Sequence, residues 1–440
     1  MFTHLGLKNF RAFEELDLGL APVTVLVGPN NAGKSSIISA LRILAQTVIS
    51  EDFRVPLLLN GPLGAFGTYK DVVYENDRRR AIGMTLGVGL PGRTAAREVL
   101  LDLNFAYRMQ RREVILRGST MYDQDRNPVF TSRYSGDTEK QTIQFLSQKM
   151  EALETKPIQR RLRTIHFLVP IWQLATRLTR LTGRKQPPIE IRKALALADA
   201  AFREFLHGLR SIEYLGPFRK APERTNLFSG ESPTTVGMDG AKAIDILASD
   251  YLRRGRKKKK LLNPIIRWLR SAEIATDIKV RVLSDRHYEM LVRHPVTGEF
   301  QNLADVGYGS SQVLPVIAAG YNLVPGSTFI VEQPEIHLHP KAQAELGTFL
   351  AGLYERNIQC IVETHSEHLI LRLQKHVATG LIRPRDIIVY FVYARGRKKE
   401  VTQLTIGEDG IFKEKWPRGF FEERLQEVTE LARASLAGAE

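Results

Sequence analysis

The 440-residue chain contains a single cysteine, Cys360, so no internal disulfide can form and an oxidising compartment is not needed. Cys360 stands in an apolar, strand-like run, where a buried and inert thiol is expected. No apolar run approaches the ~18–20 residues of a membrane span. The opening Met1-Phe2-Thr3-His4-Leu5 leads straight into a strand pattern, without the regions of a signal peptide. These absences exclude a disulfide scaffold and a helical membrane protein, and the expectation is a cytoplasmic protein with no membrane partner. Internal repeats, long low-complexity tracts and a separate cluster with metal-ligand spacing are also missing.

Acidic residues are the scarcer charge, 48 against 63 Lys and Arg, which leaves a net charge of +15. The excess is clustered at Arg78-Arg79-Arg80, at Arg160-Arg161-Leu162-Arg163, from Arg177 to Arg184, and above all at Arg253, Arg254, Arg256, Lys257, Lys258, Lys259 and Lys260. Such runs suit a polyphosphate partner such as DNA or RNA; a solvated loop or a contact to an acidic protein would use the same residues.

What is present begins with Gly28-Pro29-Asn30-Asn31-Ala32-Gly33-Lys34-Ser35-Ser36, a complete G-x-x-x-x-G-K-S phosphate loop. It follows the apolar run Val23–Val27 and opens a helical pattern through Ile37, Ile38, Leu41 and Leu44, the order of strand, glycine loop and helix that the chemistry needs. In such a loop backbone N–H groups turn inward to cradle phosphate oxygens, and the helix N-terminus adds partial positive charge. Asn30, Asn31, Gly33 and Ser36 line the expected nucleotide site. Lys34 would reach the β- and γ-phosphates of ATP, and the Ser35 hydroxyl would ligate Mg²⁺.

Three later segments add to it. Thr328–Glu332 is an apolar strand ending in an acid, which places Glu332 to hold Mg²⁺ opposite Ser35, with Glu in the usual place of Asp. Gln333, Pro334 and Glu335 follow, and a helix is expected to start at Pro340. Ile358–Glu363 is a second buried strand ending in Thr364-His365-Ser366, so His365 could contact the γ-phosphate or orient the attacking water, although a structural histidine beside a helix cap at Ser366 has the same signature. Gly309-Ser310-Ser311-Gln312 precedes a helix expected over 313–323, and hydroxyls before a helix form an anion site.

In this order, phosphate loop, Ser310 and Ser311, acidic strand and strand-tip His365, the sequence resembles the ABC-class ATPases with their Walker A, signature, Walker B and switch-histidine elements. The wording Val-Glu-Gln-Pro-Glu-Ile-His-Leu-His-Pro, then Glu-Thr-His-Ser-Glu-His-Leu, is similar to the SMC/RecF-like branch and to stand-alone ATPases related to OLD nucleases. Lys8-Asn9-Phe10-Arg11-Ala12-Phe13 resembles that branch's opening strand and turn, and Trp416-Pro417-Arg418-Gly419-Phe420-Phe421 a C-terminal segment found on some members. The resemblance implies an α/β, ABC-type split ATPase head with a mixed central sheet and a mainly helical insertion. Residues 1–135 would form the N-terminal lobe and 136–272 a helical, basic insertion with a return strand near 211–219. Residues 273–440 would form the C-terminal lobe and tail.

It further implies that two copies dimerise head-to-tail on ATP, each lending Ser310 or Ser311 to the other's γ-phosphate; a homodimer or a higher homo-oligomer is expected. Where the family pattern has a catalytic Glu, this chain has Gln333, which can orient water but not take its proton; Glu335 lies two residues on, and slow turnover is expected. The functions in view are an ATP-driven switch coupled to a partner effector, as in antiphage defence, and a RecF-like DNA-repair ATPase. A nucleotide-gated scaffold that scarcely hydrolyses and a transporter subunit are the others. The chain ends near residue 440, so any nuclease or toxin is expected to be a separate protein.

Overall fold

The computed structural model describes residues 1–90, 97–135, 140–146, 158–160, 166–168, 189–228, 230, 232–252, 260–396 and 398–414. They divide into two compact units. The first comprises residues 1–21, 35–212 and 326–328; the second comprises 22–34, 213–325 and 329–440.

The first unit is built on one sheet of eight strands. They are β1 (Phe2–Phe10), β2 (Phe13–Gly19), β6 (Ile82–Leu90), β7 (Arg97–Arg108), β8 (Glu113–Tyr122), β9 (Pro128–Ser135), β10 (Lys140–Phe145) and β11 (Ile158–Arg160), with a small hairpin of β4 (Asn60–Gly61) and β5 (Gly64–Ala65) apart from it. The order β11-β10-β9-β8-β7-β6-β1-β2 is antiparallel throughout. Alternation places Ile82, Met84, Leu86 and Val88 of β6 in the core. Helix α1 (Lys34–Ile49) follows the phosphate loop, and a short turn of helix, α2 (Tyr69–Val72), precedes β6. Helix α3 (Ile189–Arg210) presents Ile191, Leu195, Ala198, Phe202, Phe205 and Leu209, a stripe at helical spacing, and all six are buried. Phe202 meets Phe130 of β9 edge-on, with centroids 6.0 Å apart.

Within 137–210, where helical periodicity is expected throughout, only α3 is helical among the described elements; β10 and β11 are strands. In β10 the residues alternate, with Ile143 and Phe145 buried, and the strand pairs with β9 from Lys140↔Ser135 to Phe145↔Phe130. An unpaired edge on β9 recruits this segment, and cross-strand pairing outweighs a weak local preference. The basic residues 161–163 and 177–184 lie outside the described residues, as does the C-terminal segment Trp416 to Phe421.

The second unit holds the sheet that positions the site. Its strands are β3 (Val23–Val27), β12 (Ile212–Leu215), β17 (Thr328–Glu332), β18 (Gln359–Glu363), β19 (Ile387–Arg395) and β20 (Lys398–Leu404), in the order β12-β17-β18-β3-β19-β20. β3 lies between β18 and β19, parallel to both, and β20 runs antiparallel to β19, so the sheet is mixed. All residues of β3 except Thr24 are apolar, and all five are buried, as a strand covered on both faces requires. Helices α4 (Ala243–Leu252), α5 (Leu262–Ser271), α6 (Tyr308–Asn322), α7 (Pro340–Glu355) and α8 (Glu367–Ala378) complete the unit. A smaller sheet joins β13 (Asn226–Leu227), β14 (Ile278–Val282), β15 (His287–Arg293) and β16 (Phe300–Asn302). Val23, Val25, Phe329, Val331, Cys360 and Val362 share one core.

β12 also carries a buried acid. Glu213 is 6% exposed and accepts the Val236 N–H at 2.9 Å; burial pushes its carboxyl from 4.5 up to about 7. A folded-state value above the unfolded one means stability is full at low pH and is lost as pH rises from about 4.5 to about 7. Glu213→Gln keeps an acceptor for Val236 and carries no charge. It should therefore raise stability at pH 8 by up to about 3 kcal/mol and leave it nearly unchanged at pH 4. Thermal melts of both proteins at the two pH values check this; equal differences at both would contradict it.

Candidate functional site

The site in the second unit gathers where β3, β17 and β18 end. After Val27 the chain turns at Gly28, whose φ is +137°; a Cβ there would lie 2.0 Å from the Val392 carbonyl oxygen of β19, so only glycine fits. Asn31 and Gly33 also take positive φ, 60° and 115°. Pro29, Asn30 and Asn31 are exposed, as is Ser35, while Gly33 and Ser36 are half-buried.

Lys34 is 3% exposed. Its Nζ donates to the carbonyl oxygens of Gly28 and Pro29, both at 2.9 Å, and lies 3.7 Å from Glu363 Oε1 at the tip of β18. Burial lowers the Lys34 ammonium, and Glu363, Glu332 and Glu335 oppose that shift. The cation is thus held over the loop by its own carbonyls.

β17 delivers Glu332, 5% exposed, with the Tyr214 hydroxyl donating to Oε1 at 2.7 Å. The chain then turns sharply. Gln333 takes φ +46°, and its N–H donates to the Glu363 carbonyl at 2.7 Å. Arg219 Nη2 donates to the carbonyl oxygens of Glu332 and Gln333 at 2.9 and 3.1 Å, and burial pulls its guanidinium down to about 10. Glu335 is buried, which raises its carboxyl, and its Oε1 accepts the His365 N–H at 2.6 Å. Burial, then the Lys34 charge, lowers the His365 imidazole, which is therefore neutral at pH 7; its Nε2 is buried without a hydrogen-bond partner.

Ser366 is indeed the cap of α8, accepting the Leu369 N–H at 3.0 Å, so the cap and the strand-tip histidine coexist. Ser310 and Ser311 lie in the first turn of α6, which begins at Tyr308 rather than after Gln312, with Ser310 half-buried and Ser311 buried. Gly309 lets this turn approach His337, since a Cβ would lie 2.6 Å from its carbonyl oxygen. Of the basic run only Lys260 is described, and it is exposed; Arg253, Arg254, Arg256, Lys257, Lys258 and Lys259 lie outside the described residues.

The structure brings buried Lys34, Glu332 and Glu335 together with half-buried His365, whose N–H bonds Glu335, and with Gln333 at the turn; it adds Glu363, Tyr214 and Arg219, to which the sequence reading gave no role. Their only signal was position: Glu363 directly precedes Thr364-His365-Ser366, and Tyr214 and Arg219 belong to the return strand and its exit.

A family described as AAA ATPase domain matches residues 1–99, and one described as AAA domain, putative AbiEii toxin, Type IV TA system matches residues 211–372. The first match contains the phosphate loop, and the second contains Tyr214, Arg219, Glu332, Glu335, Glu363 and His365. Both matched segments are thus similar to ATPase domains of the AAA type. Residues 382–431 match a family described as protein of unknown function (DUF3696). The chain is 54% identical over 46 residues to the DNA replication and repair protein RecF of Roseiflexus castenholzii, 10% of this chain and 12% of that one. It is 43% identical over 58 residues to the OLD nuclease of Thermus scotoductus, 13% of this chain and 11% of that one. The chain thus matches about a tenth of the length of these curated relatives. Among solved structures, the Smc head domain with an extended coiled coil from Pyrococcus furiosus, bound to the C-terminal domain of ScpA, aligns with a TM-score of 0.43 at 10% identity, over 98% of this chain and 99% of that one.

Proposed function

We propose that this chain binds and hydrolyses Mg-ATP and uses the nucleotide to switch between open and paired states. The observation that carries the reading is Lys34, buried at the foot of a glycine-shaped loop and faced by Glu363, with Glu332, Glu335 and His365 on neighbouring strand tips. The cradle fits a polyphosphate: Gly28 admits no side chain, and the orphaned Nε2 of His365 is a buried group in want of a partner. Ser35 and Glu332 would supply the hard oxygen donors that suit Mg²⁺, and the bound ion would offset phosphate charge.

The N–H groups of residues 30–34 hold the phosphates, with Asn30, Asn31, Gly33 and Ser36 on the loop's open side. Lys34 exchanges its two loop carbonyls for β- and γ-phosphate oxygens. Tyr214 orients the Glu332 carboxylate. A water oxygen bonds to the terminal phosphorus, the bond to the bridging oxygen breaks, and its electron pair stays with ADP. Glu335 takes the water's proton, while Gln333 and neutral His365 orient the water and the phosphoryl group. Ser310 and Ser311 of a second copy complete the site, so ATP favours the paired state because the γ-phosphate is fully contacted only there.

The switch is proposed to act in the cytoplasm on a separate effector, a nuclease or toxin, in antiphage defence, with homodimers as the basic unit. The AbiEii toxin description and the OLD nuclease match support that direction. The residues from Arg253 to Lys260 are its proposed DNA contact. The RecF match supports a second reading, a DNA-repair ATPase that uses the same basic run. A nuclease or toxin that co-purifies would favour the first.

Steady-state ATP hydrolysis, with and without duplex DNA and beside Lys34→Ala, tests the central reading. Turnover that Lys34→Ala lowers at least ~100-fold is expected, because the charge that faces the transferred phosphoryl is lost. Turnover indifferent to Lys34, or no ATP binding by the wild-type protein, would overturn it. Stimulation by DNA that vanishes when 256–260 are changed to Glu would support the DNA contact, and its persistence would exclude that run.

A further inference from the structure

Arg219 sits where neither the phosphate loop nor the acidic strand explains it. It lies four residues beyond β12, the strand beside β17, and is 7% exposed. Nη2 is committed to the carbonyl oxygens of Glu332 and Gln333. Nε and Nη1 are buried and have no hydrogen-bond partner. A guanidinium carries five N–H donors in a fixed plane and does not deprotonate in a protein. Leaving a buried donor without an acceptor forfeits its solvation, the more so for a charged group, so two such nitrogens on one side chain call for an acceptor-rich partner. Being a cation, Arg219 cannot ligate Mg²⁺, and the chemistry that matches it is an anion with several oxygens.

We propose that Arg219 is a catalytic residue that hydrogen-bonds the terminal phosphoryl group of ATP as charge gathers on its oxygens during transfer to water. It would act within the same copy, as an arginine supplied in cis, whereas Ser310 and Ser311 come from the second copy. Its grip on the Glu332 and Gln333 carbonyls gives it a fixed origin from which to reach, and ties the phosphoryl contact to the placement of the Glu332 carboxylate. This inference rests on the ATP reading above.

The test measures binding, so slow turnover does not obscure it. Affinities for Mg-ADP, and for Mg-ADP with aluminium fluoride as a mimic of the transferring phosphoryl, are compared in the wild type, Lys34→Ala, Arg219→Ala and Arg219→Gln. The Gln amide retains a donor for the two carbonyls but lacks the charge and the second nitrogen. The wild type should bind the fluoride complex at least ~100-fold more tightly than ADP alone. Both Arg219 variants should lose at least ~10-fold of that gain while binding ADP within ~3-fold of the wild type, with Arg219→Gln melting within a few degrees of it. Arg219→Gln that binds the fluoride complex as tightly as the wild type would overturn the proposal and leave Arg219 a backbone clamp. A wild type that binds ADP with no gain from fluoride would also overturn it, with nucleotide binding intact. A wild type that binds no nucleotide would instead bring down the ATP reading itself, and this inference with it.

Discussion

Gly28→Ala should abolish nucleotide binding and destabilise the second unit by about 2–6 kcal/mol, the sum of a forced backbone conformation and a clash the sheet cannot relieve. The added Cβ would meet the Val392 oxygen of β19 at 2.0 Å, and β3, which Gly28 directly follows, is held to β19 by parallel pairing from Ile387↔Val23 to Phe391↔Val27. Neither strand can retreat without breaking that ladder. The turn would have to open, and the carbonyls that hold Lys34 would move with it. Gly352 is the control. It lies in helix α7, and a Cβ there meets nothing within 4 Å. Gly352→Ala should therefore stabilise by roughly 0.5–1 kcal/mol through helix propensity alone. Thermal melts and binding of a fluorescent ATP analogue check both; a Gly28→Ala protein that binds ATP normally would contradict the argument.

Glu335→Gln should lower turnover by roughly 10²–10⁴ with little change in ATP affinity, because it removes the proposed base and keeps the shape. The amide retains an oxygen for the His365 N–H, so the contact at 2.6 Å need not be lost. Burial raises the Glu335 carboxyl, and a base must be ionised to act. Turnover should therefore rise with pH along a limb displaced above the ordinary carboxylate range, and that limb should be absent in Glu335→Gln. Gln333→Glu separates the two candidates. If Glu335 takes the proton, this change leaves turnover within about two-fold. A several-fold acceleration, with Glu335→Gln still active, would return the role to position 333 and mean that its amide limits the natural rate.

The parts of the site carried by local pattern were legible in the sequence. The phosphate loop announces itself because strand, glycines, Lys34 and helix are contiguous, and Glu332 and His365 because each ends an apolar strand. Glu363, Tyr214 and Arg219 were not legible as partners. Their roles depend on β18 lying beside β3 and β12 beside β17, and a strand's composition does not name its neighbour. Residues as far apart as Lys34 and Glu363 meet only through that order. The turn at Gln333 was hidden too, since φ +46° at a glutamine is imposed by the carbonyl contacts of Arg219 and the Gln333 N–H, not by local preference. In the fold, β10 and β11 were misread for the same reason: the strand character of β10 comes from the open edge of β9, and that of β11 from the edge of β10.

The register that pairs Cys360 with Val23 has a use at the bench. The thiol is fully buried and burial pushes it up to about 12, so it stays protonated and out of reach of alkylating reagents under native conditions. With no other cysteine in the chain, the natural protein already serves as a silent background for site-directed labelling. One new thiol at an exposed position such as Glu408 would carry the only spin or fluorescent probe in the molecule. Distances between two identically labelled copies would then report directly on whether ATP draws them together, with no cysteine-free variant to build first.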